Sequence, residues 1–142
     1  MNSNFNMKGT LQIYKNGELL QEVPNLIVTS GKVWAANMLT AGTGTVMSHM
    51  AVGSNSTTPT LTDTTLNTEI TRVTLQTAGG SVSGSTITFT AVFGAGIGTG
   101  TWAEAGVFNA ASAGTMFNRA TFSSFTKGAG DQVTIVWTVT QP

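Results

Sequence analysis

Short segments in which apolar and polar residues alternate, separated by glycine- and serine-rich turns, recur along this chain. Thr86–Phe93 and Val133–Thr140 each place large apolar side chains on one face and mostly threonines on the other. Because successive side chains of a strand point to opposite faces, these segments predict half-buried β-strands. Short strands at this spacing predict an all-β fold, a β-sandwich of jelly-roll type. The expected core includes four aromatic residues: Phe89, Phe108, Phe122 and Trp137.

A hairpin is predicted near the start of the chain. Asn16-Gly17 separates two strand-like runs, and both residues tolerate the positive φ that a two-residue turn requires. Tight pairing sets Ile13 opposite Leu20 and Tyr14 opposite Leu19. Both faces of the hairpin then carry apolar groups, which predicts packing contacts on each side.

The chain is accordingly divided into an N-terminal arm and hairpin, residues 1–25, and a β-sandwich domain, residues 26–142. Met1–Lys8 is polar and rich in asparagine, and it shows no periodicity. We predict that the hairpin extension contacts a neighbouring subunit or a larger particle, and that the sandwich folds without it.

One short helix is predicted over Gly31–Leu39, with Thr29 or Ser30 as its N-cap. A single helix in an otherwise β-rich chain is expected to cover an open end of the sandwich. Its inward stripe is predicted to consist of Val33, Trp34 and Met38, with Asn37 as a further candidate.

The chain carries few of the groups that catalysis uses. It has six Lys and Arg, six Asp and Glu, one His and no Cys among 142 residues. Enzymes place such groups in pairs or triads, so this composition predicts a structural or binding protein and not an enzyme, with no cofactor. The absence of cysteine excludes disulfides and thiolate metal sites.

Charge and hydropathy exclude other partners. The formal net charge is zero and the cations are scattered, whereas a nucleic-acid-binding protein needs a clustered basic surface. No apolar run approaches the roughly 18 residues of a membrane span. The first residues lack the features of a signal peptide, which predicts synthesis in the cytoplasm with no membrane partner. Low net charge also favours association between copies.

A metal-binding role for His49 and a catalytic role for the carboxylates are conceivable, but each has a simpler structural explanation. His49 is the only histidine, and without further ligands it is better explained as a hydrogen-bonded histidine on a strand or interface. Asp63 and Asp131 stand in turn contexts, where aspartate bonds the local backbone. Paired carboxylates for glycoside cleavage would have to come from four residues: Asp63, Glu69, Glu104 and Asp131.

Glu104 predicts a structural ion pair. Alternation over Thr101–Phe108 places Glu104 on the same face as Trp102. If that face is the core, the carboxylate is buried and needs a partner, because an unpaired buried charge is costly. The candidate group, in which Glu104 pairs with one of two arginines, is Glu69, Arg72, Glu104 and Arg119.

Several segments between Leu26 and Gln141 follow a recognisable order. Two of them are Asp63–Arg72, with the sequence DTTLNTEITR, and Glu104–Asn109, with EAGVFN. Together the segments resemble a family of small virion structural proteins from tailed bacteriophages. The remaining pieces of the resemblance are Leu26–Lys32, Met50–Ser54, Phe117–Phe122, Lys127 and Val133–Thr140.

This resemblance implies a β-sandwich that coats or decorates a virus particle. We expect a capsid cement (decoration) protein located in the virion, assembled as a homotrimer and in contact with the major capsid protein. It would stabilise capsomer joints by burying surface across them. A tail or neck fibre or adaptor subunit is the alternative within the same particle. A carbohydrate-binding or hydrolytic β-sandwich on the virion is the alternative from another class.

Overall fold

A computed structural model describes residues 7–141 of the chain, so the prediction for the first six residues of the arm lies outside the described residues. The described part contains one helix and ten strands. In chain order they are β1 (Lys8–Lys15), β2 (Glu18–Pro24), β3 (Leu26–Ile27), α1 (Thr29–Ala41), β4 (His49–Gly53), β5 (Glu69–Thr74), β6 (Ser81–Ser83), β7 (Thr86–Phe93), β8 (Gly100–Phe108), β9 (Met116–Lys127) and β10 (Val133–Thr140).

The strands form two antiparallel sheets of five strands each. Sheet A has the strand order β2-β1-β10-β7-β6, and sheet B has the order β3-β9-β8-β4-β5. The all-β, sandwich-like fold with one short helix that the sequence predicts is thereby confirmed. Strands distant in sequence become neighbours, as in the pairing of β1 with β10.

The inter-sheet core is the apolar layer between sheets A and B. Trp137 on β10 lies opposite Phe89 on β7, and both are buried. Phe122 reaches the same layer from β9. Phe108 is also buried but belongs to a separate cluster. All four aromatic residues predicted to be buried are therefore buried, although only three of them meet between the sheets.

The N-terminal hairpin completes sheet A. β1 pairs with β10 along its whole length, from Lys8 opposite Thr140 to Lys15 opposite Val133. Its inward residues Leu11 and Ile13 have no exposed surface and belong to the inter-sheet core. The hairpin is thus not an extension beside a sandwich of residues 26–142, and the predicted boundary at residue 25 does not separate two units of the fold.

The hairpin register is partly as predicted. Tyr14 lies opposite Leu19, but Ile13 lies opposite Gln21 because a bulge leaves Leu20 as an extra residue. The bulge lets the Gln21 amide donate to the Ser123 carbonyl at 2.8 Å and accept from the Ser123 N–H at 3.1 Å. This side chain ties the edge of sheet A to β9 of sheet B.

Helix α1 is longer than predicted and packs through small residues. Its N-cap is Val28, and the Ser30 hydroxyl donates to the Met116 carbonyl at 3.0 Å instead of capping the helix. A Cβ at Gly31 would lie 2.0 Å from the Phe117 carbonyl oxygen, so only glycine allows this close approach. Val33 is exposed, contrary to its predicted place in the inward stripe. The stripe has the spacing i, i+3, i+4, i+7 and consists of Gly31, Trp34, Ala35 and Met38.

Candidate functional site

A bulge in the pairing of β8 with β9 separates two β8 residues that simple alternation places on one face. The register with β9 shifts between Trp102 and Glu104, because Ala103 alone stands opposite three residues of β9, Phe122, Ser123 and Ser124. Trp102 therefore faces the inter-sheet core, and Glu104 lies on the outer side of sheet B. The prediction that these two side chains share a face is wrong for this reason.

The outer side of sheet B carries a second, smaller set of buried side chains, which we name the outer cluster: Val28, Ala51, Leu66, Phe108 and Met116. Residues 54–68, the loop between β4 and β5, cover this cluster and contain no helix or strand. The Leu66 side chain packs from the loop against Gly106. A Cβ added at Gly106 would lie 3.2 Å from the Leu66 Cδ2 atom. The glycine leaves room for the loop to close over the sheet.

The Glu104 carboxylate is fully buried beside the outer cluster, and each of its oxygens accepts two hydrogen bonds. Oε1 accepts from the Asn67 N–H at 2.9 Å and from Arg119 Nε at 3.1 Å. Oε2 accepts from the Thr68 N–H at 2.8 Å and the Asn55 N–H at 3.1 Å. Three backbone N–H groups from both ends of the loop thus converge on one carboxylate, which is how a buried charge is stabilised.

Arg119 on β9 is the ion-pair partner of Glu104. Its Nη2 lies 3.0 Å from Glu104 Oε1, and neither side chain is exposed. The same guanidinium donates to the Thr57 carbonyl at 2.9 Å and lies 3.2 Å from the Asp63 carboxylate. Arg119 also donates to the carbonyl of Asn55, which is 64 residues away in sequence. One arginine therefore contacts the loop of residues 54–68 at several positions.

Asp63 forms a turn within the loop, as its sequence context predicts. Its carboxylate accepts from the Thr60 N–H at 2.9 Å and from the Thr60 hydroxyl at 2.8 Å. Partial burial raises the pKa of Asp63, but the bonds from Thr60 and the nearby Arg119 charge outweigh it and hold the pKa below its ordinary value.

Glu69 and Arg72 form a separate pair on β5. Arg72 donates to both carboxylate oxygens of Glu69, at 2.8 and 3.0 Å. It also donates to the carbonyls of Ala110 at 3.0 Å and Ala113 at 2.9 Å, which holds the turn between β8 and β9. Its guanidinium carbon lies 3.8 Å above the ring centre of Phe108, a favourable cation–π contact. The four predicted residues thus form two ion pairs, and Arg72 does not contact Glu104.

Lys127 is a second buried cation beside Arg119 among the described residues, and the sequence indicates no partner for it. Its side chain is fully buried at the end of β9, and its ammonium donates to the Gly94 carbonyl at 2.8 Å. It holds the start of the loop between β7 and β8. No periodicity could have indicated this, because a lysine at a strand end is ordinarily exposed.

The remaining candidates also make structural contacts. His49 is half-buried, and its Nδ1 lies 2.8 Å from the Ser48 hydroxyl. Asp131 accepts from the Asn16 amide at 3.0 Å and the Gly128 N–H at 2.8 Å, which lower its pKa, with a further contribution from Lys15. These bonds connect the hairpin turn to the turn before β10. Among residues 7–141 no three His, Asp or Glu side chains are grouped as a metal site would need.

Large apolar side chains remain on the surface. Leu39 on α1 is 73% exposed and Val82 on β6 is 69% exposed. Leu39 borders a groove of about 290 Å³ between α1 and β7, and Val82 pairs with Ile87, which lines the same groove. The other large apolar residues that are exposed in the described part are Leu19, Leu20, Val33, Val46, Leu61, Ile70 and Ile97.

Fold and site together define an antiparallel β-sandwich in which buried charges hold the connecting loops against the sheets. No protein-family model, curated protein or solved structure matches this chain, so the resemblance to phage virion proteins stays an expectation. Within residues 7–141, no helix combines the length and the hydropathy that crossing a membrane requires.

Proposed function

We propose that this protein is a structural subunit of a tailed-phage virion, and specifically a capsid cement (decoration) protein. The observation that carries the proposal is the set of large apolar side chains left at the surface, above all Leu39 and Val82. An exposed apolar side chain beside an apolar groove, as Leu39 is, is typical of protein–protein contact surfaces. Its partners would be further copies of itself, as a homotrimer, and the major capsid protein.

The anchored loops support a role in assembly. Glu104 and Arg119 hold residues 54–68, and Arg72 holds the turn between β8 and β9. A surface whose loops are already ordered loses less conformational entropy when it binds, so more of the contact energy appears as affinity. A protein that strengthens a particle only by contact benefits directly from such pre-ordering.

The carboxylates that a hydrolytic enzyme would need are already bound by other groups of the protein. Glu104 is enclosed by three backbone N–H groups and Arg119, and Glu69 is held by Arg72. The aromatic side chains that a carbohydrate platform would need are also engaged. Trp102 and Trp137 are buried, and the third tryptophan donates its indole N–H to a loop carbonyl.

Copy number per particle tests the proposal. We expect quantitative mass spectrometry of purified particles from the encoding virus to find on the order of hundreds of copies, since capsid symmetry repeats a cement site over the whole shell. About six to eighteen copies would instead indicate the fibre or adaptor alternative. Absence of the chain from the particle would refute both virion assignments.

A second measurement tests the mechanism. Particles that lack this chain should lose their DNA at a lower temperature, and adding the purified chain should restore the midpoint in a concentration-dependent way. A ligand that binds only the intact shell stabilises it by mass action, so the midpoint should rise with the logarithm of concentration. An unchanged midpoint at saturating chain would contradict a cement function even if the chain is bound.

A further inference from the structure

The groove beside Leu39 is lined by apolar side chains from the helix and from both sheets. We name it the α1–β7 groove, and its volume is about 290 Å³. Met38 lines it from α1, Ile87 from β7 and Phe117 from β9. None of the described residues that line it is charged. A polar group would lose its hydration there without gaining a partner, so the groove suits an apolar occupant.

Three aromatic rings line the α1–β7 groove and contact one another. The ring centre of Phe117 lies 5.6 Å from that of Trp34 and 6.1 Å from that of Phe89, and both contacts are edge-to-face. A further ring can extend such a series, because edge-to-face pairs are stabilised beyond the area that they bury. One phenyl ring also fits the volume, since an apolar cavity of about 150 Å³ in another protein accommodates benzene.

The described part of the chain begins at this groove. Met7 lines the groove and packs against the inter-sheet core. It comes directly before β1, whose residues Leu11 and Ile13 belong to the same core. The residues that precede Met7 are therefore attached to the chain at the groove itself, and two extended residues span at most about 7 Å.

The sequence places one aromatic residue within that reach. Residues 1–6 have the sequence MNSNFN, and Phe5 is the one aromatic residue among them. Phe5 stands two positions before Met7, in the same alternation as Met7, Leu11 and Ile13. Residues two apart in an extended chain share a face, so an extended continuation of β1 would direct Phe5 toward the groove and Asn6 away from it.

We infer that the α1–β7 groove binds the Phe5 side chain of the same molecule. A side chain tethered two residues from its site has a high effective concentration there, which favours this contact over the same contact with a second copy. The contact joins the N-terminal residues to α1 and removes apolar surface from water. The proposed function does not depend on it, because Val82 does not line the groove and stays exposed for a partner.

Fluorescence quenching and NMR test this contact in the full-length chain. Trp102 and Trp137 have no exposed surface, so quenching by iodide reports mainly on Trp34 in the groove. We expect Phe5→Ala to make the fluorescence easier to quench and to lower the thermal midpoint by about 3–8 °C, because a buried aromatic side chain is lost. In the wild-type chain, NMR should show a nuclear Overhauser cross-peak between the Phe5 ring protons and the Met38 methyl group.

A matched control combines Phe5→Asn with Asn6→Phe, which keeps the composition and moves the ring by one position. It should behave like Phe5→Ala, because the ring is then directed away from the groove. A missing cross-peak to Met38, unchanged quenching in Phe5→Ala or a control that behaves like wild type would each overturn the inference. Protection of Trp34 that is lost when the wild-type chain is diluted would also overturn it, and would assign the groove to Phe5 of a second copy. Copy number in the particle tests the proposed function independently of these results.

Discussion

The inter-sheet core and the outer cluster are buried to a similar degree but are held together by different forces. The inter-sheet core is built from apolar side chains, with aromatic pairs such as Phe93 and Trp102 in edge-to-face contact. The outer cluster has five apolar residues, and beside it lies the buried pair of Glu104 and Arg119. The first is stabilised by non-directional burial, and the second by hydrogen bonds that must meet specific atoms.

This difference has an energetic consequence. An apolar core tolerates replacement by side chains of similar volume, because burial depends mainly on area and packing. A buried ion pair tolerates loss of both partners better than loss of one, since a single remaining charge is left without compensation. The outer cluster is therefore the region where one polar substitution has the larger effect, and where the loop conformation depends on a few atoms.

The largest expected effect is from removal of residues 1–23. This truncation deletes β1 and all of β2 except Pro24, takes Leu11 and Ile13 out of the inter-sheet core and exposes the edge of β10. We expect a chain that has lost its cooperative unfolding transition, measured by circular dichroism during heating. The sequence-based expectation is the opposite, a folded sandwich. A truncated chain with native β-content and a sharp transition would show that the hairpin is an extension after all.

Glu104→Ala should be the most damaging single substitution in the outer region. It removes the acceptor for three backbone N–H groups and leaves Arg119 buried without its main partner, which costs about 3–5 kcal/mol of unfolding free energy. Urea denaturation measures this cost. Glu69→Ala is the matched control, because it breaks a partly exposed pair and should cost about 1 kcal/mol or less. Equal losses in the two variants would contradict the distinction.

A matched pair of leucines compares the two regions directly. Leu11→Ala in the inter-sheet core and Leu66→Ala in the outer cluster should each cost about 2–5 kcal/mol, since both side chains are buried. Hydrogen exchange should separate them. Leu66→Ala should speed exchange at the amides of Asn67 and Thr68 while the β10 amides stay protected, whereas Leu11→Ala should affect the amides of both sheets. Uniform acceleration in both variants would mean that the loop and the sheets unfold as one unit.

The smallest expected effect is a pH dependence of the stability that Asp63 contributes. The pKa of Asp63 is lower in the folded chain than its ordinary 3.8, so its contribution to stability is fully present above that value. It is lost as the pH falls below 3.8 through the folded-state pKa. We expect Asp63→Asn to lower the thermal midpoint near pH 6 but to differ less from wild type near about pH 3. A difference that grows on acidification would contradict the sign of the shift.

Much of the inter-sheet core was predictable from the sequence. Phe89, Phe122 and Trp137 stand at alternating positions of strands whose polar faces are marked by threonine, and a strand has only two faces. The hairpin turn was predictable because Asn16 and Gly17 both adopt positive φ. The place of the hairpin within sheet A was not, because a hairpin with apolar groups on both faces suits an interface as well as a sheet.

For the buried site around Glu104, the sequence predicted which residue types take part but not which of them pair. An acidic residue in an apolar strand indicated that Glu104 needs a cationic partner, and two arginines were open as candidates. The choice depended on the bulge of β9 opposite Ala103, beyond which Glu104 faces the outer side of sheet B. Two kinds of contact could not be predicted: the bond from Lys127 to the Gly94 carbonyl, and the three backbone N–H groups that bind Glu104. Each of them involves a loop, and no local sequence pattern specifies the path of a loop.

By itself the sequence determined most of the strands, the turn of the hairpin and most of the side chains that avoid water, because these follow from repeats of two residues and from the freedom of glycine and asparagine. The tertiary structure decided which side of sheet B receives a loop, which arginine meets Glu104 and where β1 pairs. Each of these joins residues far apart, as in the 62 residues between Thr57 and Arg119. Such contacts depend on chain geometry after the sheets have formed, so no local periodicity encodes them.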